Sequence, residues 1–516
     1  MKLHHFVRHS KMSPSLISRR CQSSFSPAPP FTIKDLNEST LEAKYAVRGK
    51  IPIRADELRS EIDTNPSHGL PYDRIISANI GNPQQLDQKP LSWYRQVLSL
   101  IQYPTLISKI EKLEPSVREH LYPSDTVERA RKLLKSTGSV GAYSHSQGDA
   151  GIRRSVANFI EKRDGYAADP TDIFLTGGAS AAVSYLIQVL SSNDKSGFLI
   201  PIPQYPLYTA SIALNNAVPI GYLLNEEKEW STDPNEIREL IAENKEKGVT
   251  IKALVVINPG NPTGAILKEQ DIVELINIAA EHGLVLIADE VYQENVFHGE
   301  FVSVKRVLSK LLEKDNELYK HVQLASLHST SKGVSGECGQ RGGYMELVGF
   351  TREVRDIIFK LASINLCSVV SGQALVELMI NPPKQGDPSY ELYHHETSSI
   401  HKDLEKRASS LYEAFSKMAD VSCQKPQGAM YLFPRLNFSK ESYPSLFKKA
   451  DEMNLTIDEL YCTELLEKTG ICCVPGNGFG QAPGTAHLRT TFLPPGTEWI
   501  SSWASFHEKF VEHFKQ

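Results

Sequence analysis

The chain is poor in the features that mark several common protein classes. It has seven cysteines in 516 residues, Cys21, Cys338, Cys367, Cys423, Cys462, Cys472 and Cys473, and no Cys-x-x-Cys pair. So few thiols cannot knit a chain of this length into a disulfide framework, and a zinc ribbon or thioredoxin-like centre lacks its ligand set. No apolar run approaches the roughly 18 residues that span a bilayer. Ala253–Ile257 and Leu284–Ala288 are strand-length, so membrane insertion is not expected. An excess of one charge is also missing. Lys+Arg 56 against Asp+Glu 61 leaves a formal net charge of −5, which argues against a nucleic-acid partner. No Gly-Lys-Ser/Thr phosphate loop occurs, and Val511 stands where a second histidine would follow His507-Glu508 at metalloprotease spacing. No metal site is expected. Sequons at Asn37, Asn437 and Asn454 lack a secretory signal and read as chance matches.

What is present begins with a basic leader. Lys2, Arg8, Lys11, Arg19, Arg20 and Lys34 precede the first acidic residue, Asp35, among many serines. This is the composition of a mitochondrial transit peptide, with cleavage expected between Arg20 and Ser26. Pro27, Pro29 and Pro30 then mark a linker. The expected destination is the mitochondrial matrix, with the cytoplasm second. A mass of 57.5 kDa with 41% hydrophobic residues suffices for two or three globular parts.

Between about residues 170 and 330 short apolar runs alternate with helical patterns. Strands are expected at 172–176, 197–202, 252–258, 284–289 and 322–328, and helices at 179–190, 206–215 and 268–282. That alternation predicts an α/β fold with a buried, mostly parallel sheet. After about residue 385 the texture changes. A long charged helix at 391–419, strands at 430–433 and 471–474, and a last helix at 497–515 read as a smaller α+β domain. The division expected is 1–28 for transit peptide and linker, 29–120 for an N-terminal arm and part of the smaller domain, 121–385 for the large domain, and 386–516 for the small C-terminal domain.

Several motifs close predicted strands. One strand runs into Asn258-Pro259-Gly260-Asn261-Pro262-Thr263-Gly264, a rigid turn that fixes the Asn261 amide. The next runs into Asp289-Glu290-Val291-Tyr292, and another into Ser329-Thr330-Ser331-Lys332-Gly333, with Arg341 shortly after. Each alone has an ordinary structural reading. Asn-Pro-Gly is a common turn, a strand-end Asp is often a cap, and a Lys among hydroxyls is often solvated. Strand ends in one parallel sheet share an edge, however, and ligands bind there. Among the look-alikes, Gly476-Asn477-Gly478-Phe479-Gly480 is not a dinucleotide fingerprint, and His394-His395-Glu396 reads as solvated.

With these stretches, together with Asn79–Gln84, Gly141–Ser144, Leu199–Tyr208, Gly336–Tyr344 and Val474–Gly480, the sequence resembles fold-type I aminotransferases that depend on pyridoxal 5′-phosphate. More narrowly it is similar to the alanine aminotransferases. The resemblance implies catalytic roles for Lys332, which would carry the cofactor, for Asp289 at the pyridine nitrogen, and for Tyr292. Asn261 and Tyr292 would hydrogen-bond the ring oxygen, and Tyr205 would stack on the ring. Ala179, Ser180, Ser329, Ser331 and Arg341 would hold the phosphate, using helix-start amides and a planar guanidinium. Tyr143 would reach the neighbouring subunit's phosphate in a homodimer. Arg489 and Gly81 would bind the substrate carboxylate, with amino acids and 2-oxo acids as partners. The implied reaction converts L-alanine and 2-oxoglutarate into pyruvate and L-glutamate. Glutamate–glyoxylate transamination and a non-catalytic regulator on the same fold are the alternatives.

Overall fold

Strand β1 (Ile173–Thr176) is followed by helix α1 (Ala179–Leu190), β2 (Ser196–Ile202) and α2 (Leu207–Leu214). Then come β3 (Val218–Asn225), β4 (Ser231–Thr232), β5 (Thr250–Ile257), α3 (Glu269–His282), β6 (Val285–Asp289), β7 (Gln323–Ser329) and β8 (Gly343–Val348). These bounds belong to a computed structural model that describes residues 32–43 and 49–515. The expected transit peptide and proline linker lie outside the described residues. The eight strands form one sheet in the order β1-β8-β7-β6-β5-β2-β3-β4. The central pairs β3–β2, β2–β5, β5–β6 and β6–β7 are parallel. Antiparallel β8 sits between β7 and β1. The mostly parallel α/β sheet expected from sequence is therefore present, with β3, β4 and β8 as strands the sequence reading did not place.

Alternation along the strands divides the core. Ala253, Val255 and Ile257 face one cluster with Phe198, Ile200, Ile287 and Leu327, covered by Val183, Leu186 and Ile187 of α1 and Tyr208 of α2. Leu254 and Val256 face the other way, against Ile272, Leu275 and Ile276 of α3. With both faces covered, the strands read as continuous apolar runs. Each fully buried Leu, Ile or Val contributes roughly 1.5–3 kcal/mol. The register then levels the functional edge: Ile257 lies beside Asp289, and Asp289 beside Leu327.

A second cluster gathers the long helix α4 (Tyr390–Phe415), through Leu404, Ala408 and Leu411, with α5 (Glu498–Phe514), through Trp503, Phe506 and Phe510. A three-stranded antiparallel sheet joins them: β9 (Tyr431–Leu432), β10 (Val474–Pro475) and β11 (Leu488–Thr491), in the order β9-β11-β10. The strand expected at 471–474 is two short pieces, Ile471–Cys472 and β10. The first pairs in parallel with Ile76–Ser77, so the N-terminal chain joins this cluster before running through Asn79–Asn82 toward the large sheet. Glu396, expected to be solvated, instead caps a neighbouring helix by accepting from the Ser92 amide at 2.9 Å.

Candidate active site

The carboxyl edge of the large sheet and the three-stranded sheet enclose a cavity of about 350 Å³. Ala179, Ser180, Tyr205, Asn261, Asp289, Tyr292, Ser329, Ser331, Lys332, Arg341, Arg489 and Gly81 all line it. Every site residue expected from sequence is thus brought together except Tyr143, which stands 78% exposed outside the cavity.

Lys332 leaves the end of β7, and its Nζ donates to the Gly81 carbonyl at 2.7 Å. Asp289 ends β6, 5% exposed. Its Oδ2 accepts from Tyr208 Oη at 2.8 Å, and Oδ1 accepts from the Val291 amide at 3.4 Å. Burial pushes this carboxyl above its ordinary value, against the opposing pull of those donors and of the Lys332 charge. The following Glu290 holds the strand end from behind, accepting from the Val304 amide and from Ser326 Oγ at 2.8 Å each.

Helix α1 starts without a side-chain cap, at Gly178 with φ +83°. Its first-turn residues Ala179 and Ser180 line the cavity with the positive end of the helix dipole. Arg341 Nη2 donates to the Gly177 carbonyl at 2.9 Å and to Ser180 Oγ at 3.3 Å, while Nη1 donates to the Cys338 carbonyl at 2.7 Å. The result is an amide terminus, two strand-end serines and a guanidinium beside one another, a donor set suited to a phosphate dianion. A Cβ at Gly178 would overlap the Arg341 guanidinium, so the cradle requires glycine there. Gly178→Ala is expected to weaken binding of the phosphorylated cofactor by about tenfold or more, the value of a charge-assisted contact, measured by cofactor titration of the apoprotein.

The opposite wall comes from the three-stranded sheet. Arg489 is 1% exposed. Nη1 donates to Asn261 Oδ1 at 3.2 Å and Nη2 to the Asn79 carbonyl at 2.6 Å, while Nε has no partner. The Tyr431 and Phe479 rings flank its Cζ at 4.3 and 4.6 Å. A buried cation with spare donors and, among the described residues, no carboxylate partner is prepared for an anionic ligand. Asn261 Nδ2 donates to Tyr292 Oη at 3.4 Å, and Tyr292 Oη donates to Tyr431 Oη at 3.4 Å.

Three contributors were missed from sequence. Tyr208 sits in the Pro-rich run as the third residue after Tyr205, yet nothing local shows that it meets Asp289. Phe479 lies in the glycine-rich turn and packs on Arg489. Tyr431 was read only as part of a strand. Cys338 also lines the cavity and donates to the Ser331 carbonyl at 3.0 Å.

Residues 114–498 match the family model described as aminotransferase class I and II. The chain belongs to that family. Its cofactor is pyridoxal 5′-phosphate, and the cradle, the buried carboxylate and the strand-end lysine fit that molecule's phosphate, ring nitrogen and aldehyde. Among curated relatives, a mitochondrial alanine aminotransferase of Saccharomyces cerevisiae is 54% identical over 512 residues, covering 99% of this chain and 85% of the relative. A protein of the same yeast named an inactive alanine aminotransferase is 52% identical, covering 95% of this chain and 96% of its own. Among solved structures, an alanine aminotransferase from Pyrococcus furiosus superposes with a TM-score of 0.71 at 25% identity, covering 93% of this chain and all of its own.

Proposed function

We propose that this aminotransferase moves the amino group of L-alanine to 2-oxoglutarate, releasing pyruvate and L-glutamate. The observation that carries the reading is the convergence of Lys332, Asp289 and a carboxylate-free, buried Arg489 on one cavity. Pyridoxal phosphate, when bound, supplies an aldehyde that takes up the amino group and a ring that withdraws electrons from the substrate carbon. Lys332 would hold that aldehyde through its amine, and the same amine would carry the proton at substrate Cα. Asp289 would keep a proton on the ring nitrogen. Asn261 and Tyr292 would donate to the ring oxygen, and Tyr205 would cover the ring. The amides of Ala179 and Ser180, with Ser329, Ser331 and Arg341, would hold the phosphate. Arg489 grips the α-carboxylate of either acid, with Gly81 against it.

A homodimer completes this reading. Tyr143 is 78% exposed, and Ile364, Leu366 and Val369 are exposed at 70%, 50% and 50%. Ser146 Oγ donates to the Leu366 carbonyl at 2.6 Å and Gln373 Nε2 donates to Ser144 Oγ at 2.9 Å, which ties the two exposed segments together as a face for a second copy, across which Tyr143 would reach the partner's phosphate site. The two side-chain clusters support a division into a large and a small domain at about residue 386. The basic, serine-rich leader supports delivery to the mitochondrial matrix.

Initial rates over a panel of amino donors with 2-oxoglutarate, glyoxylate and pyruvate test the substrate assignment. Alanine with 2-oxoglutarate is expected to lead. A preference for glutamate with glyoxylate would replace it, and absence of amino transfer from every donor would place the chain with its inactive relative. Arg489→Lys is expected to raise KM for alanine and 2-oxoglutarate together by about tenfold or more, because a point charge replaces a planar fork. Unchanged KM values remove Arg489 from the substrate site.

A further inference from the structure

Tyr431 reaches the cavity from the three-stranded sheet, not from the large sheet that carries the other catalytic candidates. Its register explains the placement. Tyr431 pairs with Thr491 and Leu432 with Thr490 on the strand that carries Arg489. The ring therefore lies under the guanidinium, while the hydroxyl passes beyond it toward the large sheet. There it accepts from Tyr292 Oη at 3.4 Å, a single proton that Tyr292 would give to the ring oxygen instead once that oxygen is present. It also fills the space beside Gly81: a Cβ on that residue would overlap the Tyr431 hydroxyl and stand 3.2 Å from Lys332 Nζ. The phenol oxygen and the lysine amine thus flank one glycine, and the Gly81 carbonyl already holds that amine at 2.7 Å.

Building on the pyridoxal reading above, we propose that Tyr431 is a positioning residue with two separable parts. The ring steadies Arg489 for the substrate carboxylate, and the hydroxyl stabilises the protonated form of the nitrogen at Lys332. The groups around the hydroxyl are Lys332, Arg489, Tyr292 and Cys338, and Lys332 also interacts with the Asp289 charge. Burial pushes the Tyr431 phenol up, but the Lys332 and Arg489 charges and the Tyr292 hydrogen bond together bring it below its ordinary value. That direction agrees with an oxygen serving as acceptor toward cations.

Tyr431→Phe separates the parts, because it keeps the ring and removes the oxygen. Resting holoenzyme is titrated with pH and followed by the absorbance of its bound cofactor. Without the hydroxyl the charged nitrogen loses an acceptor, so the midpoint is expected to fall by about half a pH unit or more, roughly threefold in proton affinity. KM values for alanine and 2-oxoglutarate are expected to stay within about twofold, since the ring under Arg489 remains. A midpoint that stays in place or rises overturns the proposal, as does a tenfold rise in KM with the midpoint unmoved. Wild-type protein that shows no cofactor absorbance sinks the pyridoxal reading itself. A normal wild-type titration with an unmoved variant sinks only Tyr431.

Discussion

Lys332→Ala is expected to lower the rate of amino transfer by at least about 10²–10⁴-fold, the range that a positioned proton carrier contributes. The loss should fall on kcat. Substrate binding rests on Arg489, whose partners Asn261 and Asn79 do not involve position 332. Charge and chemistry can be told apart with a second variant. Lys332→Arg keeps a cation beside Tyr431 and the Gly81 carbonyl, but a guanidinium cannot give up its proton at any working pH. If Lys332 acted as a fixed charge, the Arg variant would retain much of the activity. If its amine reacts, the two variants are equally inactive, and reductive trapping of the holoenzyme labels the peptide containing position 332 in wild type alone. A label found on another lysine would move the assignment away from the end of β7.

The placement of Lys332 and Asp289 was legible in the sequence because each closes a strand whose apolar run is easily seen. Parallel neighbours bring such ends to one edge without further information. Helix α1 was read at its observed bounds, Ala179–Leu190, since two glycines precede a continuous helical pattern. Tyr208 and Tyr431 were not legible. Tyr208 meets Asp289 across 81 positions, and Tyr431 meets Tyr292 across 139. Such contacts depend on how sheets and helices stack, for which alternation and turn chemistry carry no signal. The strand β8, antiparallel and buried at Gly343–Leu347, was hidden for a related reason. Its sequence follows a run of glycines that reads as loop, and pairing with β7 and β1 makes it a strand. The motif resemblance supplied Arg489 where local pattern could not.

Asp289→Asn should separate function from stability at the same position. Asp289 is buried, and that burial holds its carboxyl above the ordinary value against its donors and the Lys332 charge. The native state therefore binds this proton more tightly than the unfolded chain. Stability is favoured while the group is protonated in the native state and declines as pH rises from the unfolded value, 3.8, through the raised native one. At neutral pH the apoprotein carries that penalty, and an asparagine does not. The amide oxygen still accepts from Tyr208, and the contact surrendered toward Val291 is the longer one, at 3.4 Å. Apoprotein of the Asn variant is thus expected to melt no lower than wild type at pH near 8, with its relative advantage shrinking on acidification. Catalysis should move the other way. A neutral amide cannot keep a proton on the ring nitrogen, and kcat is expected to drop by about 10²-fold or more, as when a preorganised charge is removed from a buried site. Such opposed effects are the pattern of a carboxylate kept in the interior for chemistry at a cost to the fold. Thermal melts of apoprotein across pH, paired with single-turnover rates of the loaded enzyme, check both halves. A variant that melts lower at pH 8 while its turnover is intact would make Asp289 a structural carboxylate and leave the ring nitrogen without a partner.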